Sequence, residues 1–205
     1  MNYQLFRDEL HKFKIFSLTD IKKIFPVFDT RRLVEWQEKG YIKKVINRWY
    51  VFSDVTVEDS FLYWSANRIY RHSYISMETA LSYYGLIPEA VYTTTSVSTL
   101  KTASFDTPLG TFAYRHVKQA LFFGYRVMEW QKFPIKMAEP EKLILDYLYL
   151  NPRLNQHEDW QGLRLNQEIM HDMVDAQKLQ KYLTIFQSGA LDKRVSNFLK
   201  FMELC

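Results

Sequence analysis

The sequence predicts an α+β fold, with a basic, mainly helical head followed by a mixed domain of a small β-sheet packed with helices. Three observations carry that expectation. Met1 to Phe52 holds 11 Lys/Arg against 6 Asp/Glu, whereas the rest of the 205-residue chain holds 16 against 17. Apolar spacing is helical from Val57 to Gly85, strand-like between Val91 and Trp130, and helical again from Glu139. Apolar residues make up 47% of the chain, enough for a packed core beside a small head. The expected domains are therefore residues 1–55 and 56–205.

In the head, Phe6, Leu10 and Phe13 share one face of a first helix from Tyr3 to Phe13. Ser17 or Thr19 can cap a second helix, which buries Ile21, Ile24 and Phe25, turns Lys22 and Lys23 to water, and ends at Pro26. Asp29 stands where an N-cap belongs for a third helix, anchored by Leu33 and Trp36 and stopped at Gly40. Tyr41 to Val45 and Arg48 to Phe52 then read as two strands joined by a short turn at Ile46-Asn47.

Three helices and a hairpin in about fifty residues follow the order of a winged helix-turn-helix, whose third helix enters the DNA major groove. Thr30, Arg31 and Arg32 fill the first turn of that helix, with Gln37 and Lys39 further along. Arginine spans guanine O6 and N7 with two hydrogen bonds, so two adjacent arginines there point to base reading. Lys43, Lys44, Asn47 and Arg48 on the hairpin, with Lys22 and Lys23, are expected beside phosphates, which adds affinity without sequence information. The competing account is that these cations only keep a small domain soluble. Glu35 and Glu38 on the same helix favour it, and winged helices also serve as protein-binding modules.

The body opens with a helix from Val57 to Tyr70 and another from Ser76 to Gly85, followed by Pro88. Val91 to Leu100, Gly110 to Val117 and Gly124 to Trp130 are rich in strand formers, with turn chemistry at Asp106 to Gly110. A helix begins at Glu139 with Pro140 in its first position and ends at Asn151-Pro152. Two more are expected, Asp175 to Phe186 and Leu191 to Leu204. Caps, turns and a helix start account for Gly85, Pro88, Gly110, Gly124 and Pro140, and a solvated helix face accounts for Glu78, Glu141 and Lys142.

No enzymatic constellation is found. The chain has no phosphate-binding G-x-x-x-x-G-K-[ST] loop, no G-x-S-x-G elbow and no Asp-x-Asp metal pair. Its single nuclease-like Asp-x-Lys is Asp20-Ile21-Lys22, inside the head. One cysteine, Cys205, cannot build a cysteine-rich zinc site or an internal disulfide, and the five histidines lack H-x-x-x-H spacing. His157-Glu158-Asp159 follows Asn-Pro and reads as a loop. Tyr83, Tyr84, Phe122, Phe123 and Tyr125 lack interleaved cations, so core packing explains them better than base stacking. With no leader and no apolar run of about 18 residues, the expectation is a cytoplasmic, non-enzymatic protein with no cofactor, metal or membrane contact.

Four strings add a resemblance: Ser73-Tyr-Ile-Ser-Met-Glu-Thr-Ala-Leu-Ser-Tyr-Tyr-Gly-Leu-Ile-Pro-Glu89, Thr107-Pro-Leu-Gly-Thr-Phe112, Leu121-Phe-Phe-Gly-Tyr125 and Ala138-Glu-Pro-Glu-Lys-Leu-Ile-Leu-Asp146. In order and spacing they resemble the AbiEi family, the antitoxins of type IV toxin–antitoxin (AbiE) systems. The likeness spans Ser73 to Leu150 well, the head loosely and the tail after Asn151 poorly. The resemblance implies a transcriptional repressor that binds inverted repeats in its own promoter. It also implies a body that opposes a nucleotidyltransferase-like toxin without a stable complex. The alternative is a stand-alone winged-helix regulator whose body binds a ligand or a protein partner.

Overall fold

The computed structural model describes residues 2–202, so Cys205 and the expected end of the last helix at Leu204 lie outside the described residues. The head contains α1 (Tyr3–Leu10), β1 (Ile15–Ser17), α2 (Leu18–Ile24), α3 (Arg31–Glu38), β2 (Ile42–Ile46) and β3 (Trp49–Phe52), with a 3-10 turn at His11–Phe13. Its three strands form an antiparallel sheet in the order β1-β3-β2. β1 is not legible in the sequence, because three residues are too few to show a period. It exists through distant pairing, Ile15 with Val51 and Phe16 with Tyr50.

Ser17 starts α2 with a capping box: its Oγ accepts the Asp20 N–H at 3.1 Å, and Asp20 Oδ2 accepts the Ser17 N–H at 2.8 Å. The pleat then sorts the sheet into two faces. Phe16, Ile42 and Phe52 pack with Phe6, Leu10, Ile21, Leu33 and Trp36 of the helices. Ile15, Val45 and Val51 join the core of the body instead.

The body runs α4 (Asp59–Ile69), β4 (Ser73–Ile75), α5 (Met77–Tyr83), β5 (Thr93–Ser98), β6 (Ala103–Thr107), β7 (Gly110–His116), β8 (Tyr125–Trp130), β9 (Phe133–Ala138) and α6 (Pro140–Leu150). The tail adds α7 (His157–Gln161), α8 (Gln167–Met173), α9 (Ala176–Phe186) and α10 (Gly189–Phe201). Six strands make one mixed sheet, ordered β6-β7-β5-β4-β9-β8, with β5/β7 and β4/β9 parallel and the other neighbours antiparallel.

The α+β class holds, but β4, β6, β9, α7 and α8 were not anticipated. His157-Glu158-Asp159, expected in a loop, opens α7. Asp159 accepts the Gln156 N–H at 3.0 Å and completes a capping box that the preceding Asn-Pro conceals. Among the described residues, no helix is long and apolar enough to cross a membrane.

Head and body also meet through α4. Arg68 pairs with Asp20 at 3.0 Å and lies 5.2 Å from the ring centre of Trp49 and 5.4 Å from that of Trp64. Burial of its guanidinium lowers the Arg68 pKa, the Asp20 carboxylate opposing that shift.

Candidate nucleic-acid interface

The start of α3 is built by Asp29. Its Oδ1 accepts the Arg31 N–H at 3.0 Å, while Thr30 makes no side-chain cap. The Arg31 guanidinium closes on the same carboxylate, Nε to Oδ1 at 3.0 Å and Nη2 to Oδ2 at 2.9 Å, and this holds Asp29 below the usual carboxylate range. The Arg31 side chain nevertheless remains 91% exposed.

Further along, Gln37 Nε2 donates to the Leu33 carbonyl at 2.7 Å, and Lys39 pairs with Glu35 at 2.7 Å, one helical turn away. Arg32 is half-buried and forms no ion pair among the described residues. Of the five sequence-predicted positions on this segment, the side chains of Arg31, Gln37 and Lys39 therefore have local partners, whereas Thr30 and Arg32 are bonded through the backbone, the Thr30 carbonyl accepting the Leu33 N–H at 3.1 Å and the Arg32 N–H donating to the Asp29 carbonyl at 3.2 Å. The outward stripe of α3 is Arg31, Val34, Glu35 and Glu38, spaced one turn apart, while Leu33 and Trp36 point into the core.

The hairpin cations divide. Lys43 sits opposite Val51 and Lys44 opposite Tyr50, so these successive residues belong to opposite faces of the sheet. Asn47 and Arg48 form the exposed turn, where Arg48 adopts a left-handed φ of 67°. The Arg48 carbonyl accepts the Leu18 N–H at 2.9 Å, which fastens the hairpin tip to the start of α2. Lys22 and Lys23 are exposed in the last turn of α2, where positive charge complements the helix dipole. Lys22, Lys23, Lys43, Lys44 and Arg48 form no ion pair among the described residues and are available to an external anion.

A second constellation lies deep in the body and corrects the sequence reading. Glu141 and Lys142, expected on a solvated helix face, are 2% and 0% exposed. Lys142 Nζ pairs with Asp146, one turn on, and donates to the Tyr74 hydroxyl at 2.8 Å. That hydroxyl donates to Asp146 Oδ2 at 2.8 Å, and Ser76 Oγ donates to the same oxygen at 3.1 Å. The rings of Tyr74, Phe123 and Phe186 surround the ammonium with centres 5.1–5.4 Å away. Burial pushes the Asp146 carboxyl up and the Lys142 ammonium down, each opposed by its partner.

Glu141 accepts the Asp175 N–H at 3.0 Å and pairs with Lys178 at 3.1 Å, tying α6 to α9. A legible signal existed. Leu143, Ile144, Leu145 and Leu148 leave α6 apolar on most sides, and a helix apolar all round is a buried one. Lys142 and Asp146 at i, i+4 inside it must then be buried together.

Gly124 belongs to this cluster. A Cβ there would stand 3.0 Å from Lys142 Cβ and Cγ and 3.0 Å from Tyr182 Cε2, and its φ is +68°. Its carbonyl also accepts the Glu139 N–H at 2.9 Å.

Where the head meets the body, a cleft of about 370 Å³ is lined by residues including His11, Lys14, Asp54, Glu58, Phe61 and Trp130. Among the described residues no group of three His, Cys, Asp or Glu could hold a metal ion. No protein-family model matches the chain, and no curated protein matches it.

Proposed function

We propose that the protein is a DNA-binding transcriptional repressor that doubles as the antitoxin of a type IV toxin–antitoxin system. On this reading it binds promoter inverted repeats and opposes a nucleotidyltransferase-like toxin. One observation carries the DNA-binding part: the head runs helix, strand, helix, helix, strand, strand, with a β1-β3-β2 sheet. A winged helix-turn-helix has that order, and its hairpin lies beside the duplex when the third helix occupies the major groove. Lys43, Lys44 and Arg48 on this hairpin, which form no ion pair among the described residues, suit phosphates. The Asp29–Arg31 pair does not oppose the reading. An exposed ion pair is worth little, so Arg31 exchanges the carboxylate for guanine O6 and N7 at small cost.

The antitoxin part rests on the four strings. Residues from three of them (Tyr74 and Ser76, Phe123 and Gly124, Lys142 and Asp146) meet in the buried cluster of the body, which supports treating the strings as one structural signature. The cleft between head and body favours a second reading, a stand-alone regulator whose body binds a ligand or partner. A co-transcribed nucleotidyltransferase gene separates the two.

The test of DNA binding is a gel shift of the full chain on its own upstream region. Arg31→Ala or Arg32→Ala is expected to lower preference for that region over random DNA about tenfold or more. Lys43→Ala or Lys44→Ala should weaken binding to every sequence and reduce the salt slope by about one per lost phosphate contact. Equal effects from both kinds of variant would refute the division of roles. The absence of any shift at low salt would refute DNA binding.

A further inference from the structure

The proposed reading helix carries little net charge of its own. Around Arg31, Arg32 and Lys39 stand Asp29, Glu35 and Glu38, and two of the three cations are already paired with carboxylates. What its outward stripe offers besides charge is apolar. Val34, between Arg31 and Glu38 on that stripe, is 56% exposed, and Val27, in the turn that leads from α2 to α3, is 100% exposed. Neither valine contributes to the core of the head, which Phe6, Leu10, Phe16, Ile21, Leu33, Trp36 and their neighbours complete. Packing therefore leaves both side chains unexplained.

We infer that Val34 reads the C5-methyl group of thymine, so that this head prefers a site with thymine facing the middle of α3. The inference rests on the DNA-binding reading above and deepens it by naming the base. Thymine's methyl is the apolar group that a base pair presents in the major groove, and a branched apolar side chain is its natural contact. The net positive charge of the head, rather than the mixed charge beside Val34, favours a duplex as the occupant. Arg31 stands one turn before Val34, and Met1 to Phe52, which also carries Lys43, Lys44 and Arg48 on the hairpin, holds 11 Lys/Arg against 6 Asp/Glu. A polyanion satisfies this excess while Val34 meets its base edges. Arg31 and Val34, one turn apart on the same stripe, would then face neighbouring base pairs, one reading guanine and the other thymine.

The experiment uses the full chain. A duplex is selected from a random-sequence pool, and its affinity is measured by fluorescence anisotropy with each thymine replaced in turn by deoxyuridine, which removes only the methyl. The wild type should lose about 3- to 5-fold in affinity at one thymine or more, the cost of uncovering a single methyl. Val34→Ser should bind the thymine and deoxyuridine duplexes equally, and Val34→Thr should keep part of the difference. Both substitutions are on an exposed helix face, so an unchanged circular dichroism melt confirms folded variants. Enriched duplexes with no methyl dependence, or with the same dependence in Val34→Ser as in the wild type, overturn the inference. Failure to enrich any duplex overturns the DNA-binding reading itself, and this inference with it.

Discussion

Alanine at Gly124 tests whether the buried cluster of the body is held by close approach. Two costs are expected there. An alanine with φ near +68° pays left-handed strain of about 1–2 kcal/mol. Its Cβ would also press on Lys142 Cβ and Cγ and on Tyr182 Cε2, all at 3.0 Å. None of these is the free end of a flexible chain, since Lys142 is fixed at Asp146 and Tyr74, and the Tyr182 hydroxyl donates to Glu139 at 2.6 Å. Overpacking of this kind costs about 1–3 kcal/mol, so the total is about 2–5 kcal/mol.

Gly85 supplies the control in the same body. Its φ is +69°, but its nearest neighbour is Ile169 Cδ1 at 3.4 Å, ordinary contact, so Gly85→Ala should show the strain of about 1–2 kcal/mol alone. Urea denaturation of both variants measures the difference directly. A Gly124→Ala variant that loses no more stability than Gly85→Ala would refute the close-approach account.

Three further outcomes are expected. Lys142→Met should cost about 3–5 kcal/mol, because it strands the Asp146 carboxylate, whereas Lys142→Met with Asp146→Leu should recover most of that loss in the same urea titration. Single and double variants of equal stability would contradict the pairing. Arg68→Ala should cost about 1–2 kcal/mol and change the emission of Trp49 and Trp64, over which the guanidinium lies; an unchanged spectrum would remove Arg68 from the head–body contact. For pH, the Arg7 hydrogen bond holds Asp54 below the usual carboxylate range. A depressed folded pKa means that its contribution is fully present above about 3.9 and is lost as pH falls through the lowered value. Asp54→Asn should therefore flatten the acid limb of stability, weakly because the pair is half-exposed, and less in high salt; identical limbs would dismiss the pair.

What the sequence made legible follows the range of the interactions involved. α6 is legible almost to the residue because Pro140 starts it and Asn151-Pro152 follows it, both local signals. β1 and β4 have three residues each and depend on partners far along the chain, Val51 for Ile15 and Val97 for Tyr74. β9 was hidden by Pro134, which reads as a breaker yet pairs opposite Glu129 near the sheet's edge. The burial of Lys142 is legible from the apolar neighbours on α6, whereas its hydrogen bond to Tyr74, 68 residues away, is not. On α3 the Glu35–Lys39 pair was legible from its spacing, whereas the capture of Arg31 by Asp29 depends on the backbone geometry of the helix start.

The head's sheet is the element through which the two parts of the chain act on each other. α3 belongs to a core of its own with Phe6, Leu33 and Trp36, whereas Ile15, Val45 and Val51 on the sheet's other face belong to the core of the body. Burying those three side chains is worth about 5–9 kcal/mol before entropy is counted, which is comparable to the net stability of a whole domain. The hairpin is thus anchored to the body more firmly than α3 is. A ligand or partner that repacks the body would move the hairpin carrying Lys43, Lys44 and Arg48 first, and would reach α3 less directly, through the Arg48–Leu18 hydrogen bond, the Arg68–Asp20 pair and the head's own core. On the DNA-binding function proposed above, control exerted from the body would act on phosphate contacts, and hence on overall affinity, more than on a base preference set by α3.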